Sequence, residues 1–360
     1  MKILVLTNNG AGLYKFRREL LEKLILLNNE VFVSFPNDEY TLRIKKIGCK
    51  YIDSNVDRRG KSPVNDIRLM IHYIKIITNV KPDVVLTYTV KPNIYGGIAC
   101  RIAKKTHIAN ITGLGTSLEN KGLTQKLVIL LYKIGLNRTR CIFFQNKSNL
   151  DFFVRRNIIK NEMRLIPGSG VNLVQNNFEE YPEDKENIKF LYIGRIMKDK
   201  GIDELLNAAS IIKKKYIKVQ FNLIGFCEEN YAAKLEELTQ LGIINYYGRQ
   251  DDVHEFIKNS HATILPSYYE GTSNALLESA STGRPVLASN IAGCVETFDE
   301  GITGFGFAVK NVESLVETII KFINLPYEKK KEMGIAARVK MEKEFDRNIV
   351  VNAYLEQISK

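Results

Sequence analysis

Short apolar runs alternate with longer amphipathic stretches through the first half of the chain. The stretches, such as residues 14–27, repeat their apolar positions with the 3.6-residue period of a helix that covers a sheet. The runs between them have the length and composition of buried strands: KILVLT, EVFVSF, KYID, DVVLTY, HIANIT and CIFFQ. This alternation predicts an α/β fold with a parallel, doubly wound sheet.

The alternation stops over residues 172–188, which are polar, acidic and without period, and a second series of strand-like and helix-like runs starts at Lys189. We interpret residues 172–188 as a linker between an N-terminal domain over 1–171 and a C-terminal domain over 189–344. The 360 residues suit two domains, because a domain takes about 100–200 residues. Residues 345–360 are predicted to form a helix that packs back towards the N-terminal domain. The two Rossmann-like domains are expected to face each other across a cleft.

The composition is that of a chain that folds throughout: 45% of residues are apolar, 26% are charged, and no low-complexity tract interrupts them. The first apolar run, Ile3 to Leu6, is too short for the core of a signal peptide. The longest later run, Leu127 to Tyr132, is far below the roughly 20 residues that cross a bilayer. The five cysteines include no C-x-x-C pair. We therefore predict a cytoplasmic protein without membrane spans, disulfides or a zinc ribbon.

Basic residues outnumber acidic ones, 52 against 40, which gives a formal net charge of +12. Part of this charge lies beside apolar side chains at helical spacing, in residues 58–61 with 66–81 and in residues 123–140. Such helices lie in the interface of an anionic membrane, or they cover a sheet and turn a basic rim to solvent, and the sequence leaves both interpretations open. Nucleic acid is not an expected partner, because no helix-turn-helix, zinc finger or aromatic-rich RNA-binding motif accompanies the charge.

Two glycine-containing joins follow strands and precede helices, where the ligands of open parallel sheets bind. The first, at residues 8–12, comes directly after the first strand, and its glycines allow close backbone approach to an anion or an oxygen-rich group. The second contains Gly194, Arg195, Lys200 and Gly201 after the strand KFLYI. Two cations at one strand end are suited to a diphosphate. Each join by itself is also typical of an ordinary turn.

A third motif follows the strand HATILP and strengthens the interpretation of the second. Glu270 lies in a loop, and a helix predicted from Ser273 carries Glu278 further along. The backbone N–H groups at this helix start suit a phosphate, and the two carboxylates suit the hydroxyls of a sugar and of a ribose. The residues of this motif are Glu270, Gly271, Thr272, Ser273, Asn274 and Glu278.

The spacing E-G-x-x-x-x-x-x-E at residues 270–278, with G-R-x-x-x-x-K-G at residues 194–201, resembles retaining glycosyltransferase family 4, which has the GT-B fold of two Rossmann-like domains. The motifs T-x-K-P-x-x-Y-G at 89–96 and I-T-G-L-G at 111–115 resemble the branch of that family that builds bacterial capsule, O-antigen and exopolysaccharide. The resemblance runs through nearly the whole chain. One position departs from it, because many relatives carry a His after the fourth strand where this chain has Val90.

Motif by motif, the resemblance implies a donor site in the C-terminal domain. Arg195, Lys200 and Glu270 are the expected catalytic residues: the two cations hold the donor diphosphate, and Glu270 contacts the transferred sugar. Glu278 is expected to bind the ribose. Other donor contacts are implied for Gly12, Gly194, Gly271, Thr272, Ser273 and Asn274, and acceptor contacts are expected for Tyr14, Lys91 and Thr112.

The activity that the resemblance implies is transfer of a hexose or N-acetylhexosamine from a UDP-sugar to a lipid-diphosphate-linked sugar, with retention at the anomeric carbon, by a protein held peripherally at the inner face of the plasma membrane. No cofactor and no metal are expected: the four histidines lack ligand spacing, and the adjacent Asp251 and Asp252 are more typical of a helix cap. The alternatives are a non-catalytic membrane scaffold of the same fold, a nucleotide-sugar epimerase and a phosphorylase. The intact motif residues favour the transferase.

Overall fold

The computed structural model describes residues 1–54, 62–113, 122–159, 161–183 and 187–360. The chain divides into two compact units. The first unit comprises Met1–Ser169 together with Asn348–Lys360, and the second comprises Gly170–Arg347. Each unit is built around one parallel sheet.

A sheet that has seven strands among the described residues forms the centre of the first unit, and every neighbouring pair is parallel. The strands are β1 (Lys2–Leu6), β2 (Glu30–Phe35), β3 (Lys50–Asp53), β4 (Val84–Tyr88), β5 (Thr106–Ile111), β6 (Cys141–Phe144) and β7 (Glu162–Leu165). Their order is β3-β2-β1-β4-β5-β6-β7. The direction in which strands are added therefore reverses between β1 and β4.

Helices cover both faces of this sheet. Ile3 and Val5 of β1 pack in one cluster with Leu20, while Leu4 packs on the opposite face with Tyr73, as the two-residue period of a strand requires. The helices described in the first unit are Gly10–Leu26, Thr41–Lys46, Pro63–Val80, Gly97–Ile102, Leu123–Leu136, Lys147–Arg155 and Arg347–Ser359, with a π-helical turn over Pro92–Gly96.

The final helix, Arg347–Ser359, belongs mainly to the first unit, although the residues before it belong to the second. Tyr354 is buried in the same hydrophobic cluster as Phe143, and the two ring centroids are 4.5 Å apart. Asn110 at the end of β5 donates a hydrogen bond to the Tyr354 hydroxyl at 2.7 Å. These contacts attach the C-terminal end of the chain to the sheet of the first unit.

The second unit repeats the architecture, with six parallel strands among its described residues. The strands are β8 (Ile188–Ile193), β9 (Val219–Ile224), β10 (Asn245–Tyr246), β11 (Ala262–Leu265), β12 (Val286–Ser289) and β13 (Gly304–Phe307), in the order β10-β9-β8-β11-β12-β13. The α-helices described in this unit are Ile202–Lys215, Ala232–Gln240, His254–Lys258, Asn274–Ser281, Val312–Ile323 and Tyr327–Glu344. The predicted α/β class, with two doubly wound parallel sheets, is confirmed.

Two strands, β7 and β13, are absent from the pattern-based prediction, and both lie at a sheet edge. The β7 sequence EMRL has charged residues at two of its four positions, and β13 is GFGF, in which glycine alternates with phenylalanine. Glycine and charged residues are depleted in strands, so local composition does not indicate either one. Pairing with β6 and with β12 specifies them instead.

The segment that the sequence analysis interprets as a linker is packed onto the second unit. Arg284 is fully buried and donates to the carbonyl oxygens of Glu179 at 2.9 Å and Glu180 at 2.7 Å. The Ser281 hydroxyl donates to the carbonyl of Asn176 at 2.6 Å. The second unit therefore begins at Gly170, before the predicted linker, because side chains of the second unit bind this segment's backbone.

No helix among the described residues has both the length and the apolar character needed to cross a bilayer.

Candidate active site

The second and third motifs of the sequence meet at the point of the second sheet where strand order reverses. Arg195 and Lys200 follow β8, and Glu270 follows β11, and these two strands are hydrogen-bonded neighbours. Parallel neighbours end at the same edge, so residues far apart in the chain become adjacent there. The carboxyl edge at this switch point is where open α/β sheets bind ligands.

Lys200 and Glu270 form an ion pair at this edge. The Lys200 Nζ lies 2.5 Å from Glu270 Oε1, and the two side chains are only 16% and 14% exposed. The Ser267 hydroxyl donates to the same carboxylate oxygen at 2.9 Å. The pair is thus held largely away from water, where opposite charges interact more strongly than at an open surface.

The backbone of the two motifs is interlocked around this pair. Gly201 has φ = +67°, and a Cβ placed on it would lie 2.0 Å from the carbonyl oxygen of Pro266. The Tyr268 N–H donates to the Asp199 carbonyl at 2.9 Å, and its hydroxyl donates to the Glu204 carboxylate at 2.8 Å. Only glycine tolerates both the left-handed backbone and the close contact with Pro266, which explains why residue 201 of the K-G dipeptide is a glycine.

Arg195 lies beside an acid that the motifs do not contain. Its Nη1 is 2.5 Å from Glu228 Oε2, and the Arg195 side chain is 39% exposed. Gly194 and Gly225 directly follow the neighbouring strands β8 and β9. A Cβ placed on Gly225 would lie only 1.6 Å from the Gly194 carbonyl oxygen. The β8 and β9 loops therefore approach closely enough to place Glu228 against Arg195.

The helix Asn274–Ser281 begins at the same edge, as predicted. Ser273 is its N-cap and is 4% exposed, and its side-chain oxygen accepts from the N–H of Leu276. The Ser273 N–H donates to the Gly293 carbonyl at 3.0 Å, while the Gly293 N–H donates to Glu296 Oε2 at 2.6 Å. Glu296 therefore braces the loop that leads into the helix.

The remaining residues of the third motif surround this helix start. Gly271 precedes it, with its carbonyl oxygen 2.5 Å from a Cβ placed on Gly293, and Thr272 is 8% exposed. Asn274 is the first helical residue, and Glu278 lies one turn further along and is half-buried. Burial, together with the nearby Glu270 carboxylate, raises the pKa of the Cys294 thiol well above its usual value.

In the first unit, the join after β1 forms the start of a helix. This helix begins at Gly10, inside the predicted join at residues 8–12, so Gly12 lies in its first turn. The Gly12 N–H donates to Asn9 Oδ1 at 2.6 Å, and the Gly10 N–H donates to Asp38 Oδ2 at 2.7 Å. Both N–H groups are satisfied by side chains of the unit itself.

The predicted acceptor residues of the first unit occupy separate positions along its carboxyl edge. Lys91 follows β4, and its Nζ lies 2.8 Å from Asp66 Oδ1. Thr112 directly follows β5. Tyr14 lies in the helix after β1, with its ring centroid 5.7 Å from that of Tyr40. Residues 58–61 and residues 114 and 115 of the I-T-G-L-G motif lie outside the described residues.

Three acidic residues next to the motif residues were missed by sequence reasoning: Glu228, Glu296 and Asp66. Glu228 and Asp66 are 33 and 25 positions from their partners Arg195 and Lys91, and Glu296, three positions from its partner Gly293, belongs to none of the motifs. Asp252 lies just before the helix His254–Lys258 and its Oδ1 accepts from the N–H of His254 at 2.9 Å, but the N-cap position itself is Val253, so the cap interpretation is wrong in detail. Across the described ranges, no group of three His, Cys, Asp or Glu side chains is arranged to hold a metal ion.

Two family models match the chain, one on each unit. Residues 2–146 match a model described as glycosyl transferase 4-like, and residues 174–340 match the model of glycosyl transferases group 1. The second match contains all the residues of the Lys200 and Glu270 motifs. Together the two models span most of both units.

Two relatives illustrate the similarity in sequence. The first, from Campylobacter jejuni, is N,N'-diacetylbacillosaminyl-diphospho-undecaprenol alpha-1,3-N-acetylgalactosaminyltransferase, which is 28% identical over 99% of this chain and 97% of its own length. The second, from Escherichia coli, is UDP-Gal:alpha-D-GlcNAc-diphosphoundecaprenol alpha-1,3-galactosyltransferase, which is 25% identical over 84% of this chain and 85% of its own. Both similarities extend over both units.

Solved structures share the fold at lower identity. Anabaena HepE, in complex with UDP and glucose, superposes with a TM-score of 0.81 at 17% identity, covering 100% of this chain and 99% of its own. A glycosyltransferase from Rickettsia africae superposes with a TM-score of 0.80 at 18% identity, covering 99% of this chain and 97% of its own. The two family models, which match residues 2–146 and 174–340, place the chain among the 4-like and group 1 glycosyl transferases, and the structural likenesses show the GT-B fold.

Proposed function

We propose that this protein is a retaining transferase that moves a hexose or N-acetylhexosamine from a UDP-sugar to a sugar on an undecaprenyl-type lipid diphosphate, in the synthesis of a bacterial surface polysaccharide. The observation that carries the proposal is the Lys200–Glu270 ion pair beside the helix start at Asn274. Two relatives named for sugars on diphosphoundecaprenol support the acceptor class. The UDP held by HepE and the UDP-Gal in the name of the E. coli relative support the donor.

In this proposal, Arg195 and Lys200 hold the donor diphosphate together with the N–H groups at the start of the helix Asn274–Ser281. Negative charge grows on the departing diphosphate during transfer. Cations and helix N-termini that are already in place stabilise that charge without reorganising, which is the main electrostatic source of catalysis. Lys200 is well suited to this role, because its ammonium group is already held in place by the ion pair with Glu270. The same carboxylate oxygen of Glu270 accepts a hydrogen bond from Ser267.

Glu270 orients the transferred sugar. Its Oε1 accepts hydrogen bonds from both Lys200 and Ser267, which leaves Oε2 for a hydroxyl of the sugar. Glu278, one turn into the helix, is proposed to accept from the ribose hydroxyls. The donor is thereby held at its sugar, its diphosphate and its nucleoside.

Transfer proceeds by front-face displacement. The bond between the anomeric carbon and the phosphate oxygen breaks, and the acceptor oxygen bonds to the same face of that carbon. Because the new bond forms on the face from which the phosphate departs, the configuration is retained. The acceptor hydroxyl passes its proton to the departing phosphate oxygen, which balances the charge. This route needs no metal and no enzymic nucleophile, so the proposed reaction is independent of metal ions.

A membrane-contact surface on the first unit supports a lipid-linked acceptor. On the helix Leu123–Leu136, three leucines at helical spacing are strongly exposed: Leu123 by 84%, Leu127 by 56% and Leu130 by 53%. Lys126 and Lys133 are also exposed on this helix, which carries no acidic residue. Exposed leucines beside lysines are typical of helices that lie in an anionic lipid interface.

A second helix extends this pattern. Pro63–Val80 exposes Val64 by 57%, Ile67 by 54% and Ile71 by 45%, with Arg68 exposed next to them. We define the six exposed aliphatic residues of the two helices, together with Arg68, Lys126 and Lys133, as the apolar–basic surface. In the proposal this surface rests on the inner face of the plasma membrane, where anionic lipids attract its basic residues.

The decisive experiment measures release of nucleoside diphosphate from UDP-, GDP- and ADP-sugars in EDTA, with and without a diphosphoundecaprenol-linked GlcNAc acceptor. We expect acceptor-stimulated release from one UDP-sugar, and the anomeric configuration of the product should match that of the donor. UDP-GalNAc and UDP-Gal are tested first because of the two relatives. No release and no donor binding across the panel would reject the transferase and favour a non-catalytic scaffold.

The membrane surface is tested separately, by sedimentation with phosphatidylglycerol-containing vesicles and with phosphatidylcholine vesicles. The variant Leu123→Ser/Leu127→Ser should lose binding to the anionic vesicles. The control is Leu241→Ser, since Leu241 is 64% exposed but lies in the second unit. If Leu123→Ser/Leu127→Ser bound the anionic vesicles as strongly as Leu241→Ser does, the assignment of this surface would be contradicted.

A further inference from the structure

The first sheet has its own switch point, separate from the Arg195, Lys200 and Glu270 motifs of the second unit. Its strand order reverses between β1 and β4, which are hydrogen-bonded neighbours. Thr89 directly follows β4 at the carboxyl edge of this sheet. A ligand-binding position is therefore expected beside Thr89 on topological grounds alone.

Thr89 has a backbone conformation that its side chain disfavours. Its φ is +72°, in the left-handed region, and a branched Cβ makes that region especially unfavourable. The Thr89 carbonyl accepts from the N–H of Asn93 at 3.0 Å and so leads into the π-helical turn Pro92–Gly96. Left-handed non-glycine residues and π-helical turns both concentrate at functional sites.

The Thr89 hydroxyl is also unsatisfied. Its Oγ1 is buried and has no hydrogen-bond partner among the residues that the structure describes. A buried hydroxyl without a partner destabilises a fold, so such a group calls for an explanation. A ligand hydroxyl would supply the missing hydrogen bond.

A shielded ion pair lies two residues further along. Lys91 Nζ is 2.8 Å from Asp66 Oδ1, and their side chains are 16% and 19% exposed. The Tyr95 hydroxyl donates to the other carboxylate oxygen, Oδ2, at 2.8 Å. Removing two charges from water is unfavourable, and the pair gives little net stability in return. The Tyr95 bond holds the carboxylate in one orientation.

We infer that Thr89 and the Asp66–Lys91 pair form a subsite for the sugar of the acceptor, with sugar hydroxyls bonding to Thr89 Oγ1 and to the Asp66 carboxylate. The inference rests on the proposed function and deepens it. Asp66 balances the charge of Lys91, so the subsite suits a neutral, hydroxyl-rich group better than a diphosphate. Tyr95 is a positioning residue that acts through Asp66.

The test uses Thr89→Gly, which removes the hydroxyl and also relieves the left-handed strain. We expect a higher Tm together with a rise of about tenfold or more in the KM for the lipid-linked acceptor, the size expected when a hydrogen bond to a substrate hydroxyl is lost. Donor hydrolysis without acceptor should stay within about twofold, since the proposed donor residues Arg195, Lys200 and Glu270 lie in the second unit. Gain of stability with loss of acceptor affinity is a combination that a structural role does not produce.

Three further variants make the result specific. Thr89→Ser keeps the hydroxyl and should retain the acceptor KM, while Tyr95→Phe should raise that KM by a smaller factor than Thr89→Gly. Lys104→Gly is the matched control, because Lys104 also has a left-handed backbone, with φ = +53°, but precedes the amino end of β5. It should raise the Tm and leave the acceptor KM unchanged.

An unchanged acceptor KM in Thr89→Gly would overturn the inference, and so would an equal loss of acceptor-free donor hydrolysis. Failure of the proposed function would look different. In that case the wild-type protein itself would show no acceptor-stimulated release from any donor.

Discussion

Lys200 and Glu270 are 70 positions apart in the chain, yet Lys200 Nζ lies 2.5 Å from Glu270 Oε1. The pair joins the loop after β8 to the loop after β11, at the reversal of strand order in the second sheet. Both side chains are mostly shielded from solvent, so their attraction is only weakly screened. Loss of either charge should therefore disturb the other.

Lys200→Ala is predicted to lower kcat about 10²–10³-fold, by analogy with removal of one preorganised oxyanion donor. The cation is lost from the departing diphosphate, and Glu270 is left without its ion-pair partner. Release of nucleoside diphosphate under saturating donor measures the effect. Lys198→Ala is the control, because Lys198 is exposed in the same 3₁₀ turn. Turnover within a few-fold of wild type in Lys200→Ala would disprove the assignment.

Gly201→Ala should damage both stability and activity, and Gly242→Ala is its matched control. Both glycines are left-handed, at φ = +67° and +66°, but a Cβ meets the Pro266 carbonyl at 2.0 Å only in the first case. Gly242→Ala should lower the free energy of unfolding by about 1–2 kcal/mol, the left-handed penalty of an L-residue.

The collision in Gly201→Ala should add about 1–3 kcal/mol, the range for overpacking, and should reduce donor turnover as the Lys200 loop moves. Chemical denaturation followed by far-UV circular dichroism measures the stabilities of the two variants. Equal destabilisation by the two substitutions would show that the loop shifts away from Pro266 without strain.

Glu296 is predicted to position the loop over residues 270–273, because it accepts from the Gly293 N–H and the Gly293 carbonyl accepts from the Ser273 N–H. Glu296→Ala should lower kcat/KM for the donor about tenfold, since a hydrogen bond to a charged group contributes about 1.5 kcal/mol or more. Glu296→Gln should restore most of it, because an amide oxygen also accepts. Glu300→Ala removes a similar bond, to the N–H of Gly306 at 2.7 Å, and should leave donor kinetics unchanged. A neutral effect of Glu296→Ala would exclude the positioning role.

His107 is predicted to make the first unit sensitive to acid. It is 2% exposed, its ring nitrogens lie 2.8 Å from the Thr87 hydroxyl and 2.9 Å from the Thr139 hydroxyl, and burial lowers its pKa to about 3. In the unfolded chain the imidazole takes up a proton near its ordinary pKa of 6.5, while the native state does not. The free energy of unfolding should therefore fall as the pH drops below 6.5, by up to about 1.4 kcal/mol per pH unit from this group.

The measurement is hydrogen exchange of peptides that contain β5, between pH 6.5 and pH 4.5, compared with His107→Gln after correction for the intrinsic exchange rate. Glutamine has no titrating group, so the variant should lose the contribution of this histidine. Identical pH dependence in both proteins would mean that His107 does not control the acid response.

The repeating alternation of apolar runs and amphipathic stretches was sufficient to predict two doubly wound parallel sheets. Strands such as β1 and β4 are nearly continuous apolar segments, and a strand buried on both faces needs that composition wherever it lies. The helix start at Ser273 was also predicted locally, because a cap and the backbone that follows it are neighbours in sequence. The motif residues of the second unit were named from spacing and resemblance.

Tertiary structure decided what those residues touch. Glu228 and Asp66 reach Arg195 and Lys91 only because parallel strands and their loops end at shared edges. The edge strands β7 and β13 form against neighbours that local composition does not reveal. The left-handed backbone of Thr89 is likewise imposed by its surroundings, because no local preference of threonine favours it. Sequence therefore determines elements through local preference and period, whereas the contacts of the site depend on how the sheets assemble.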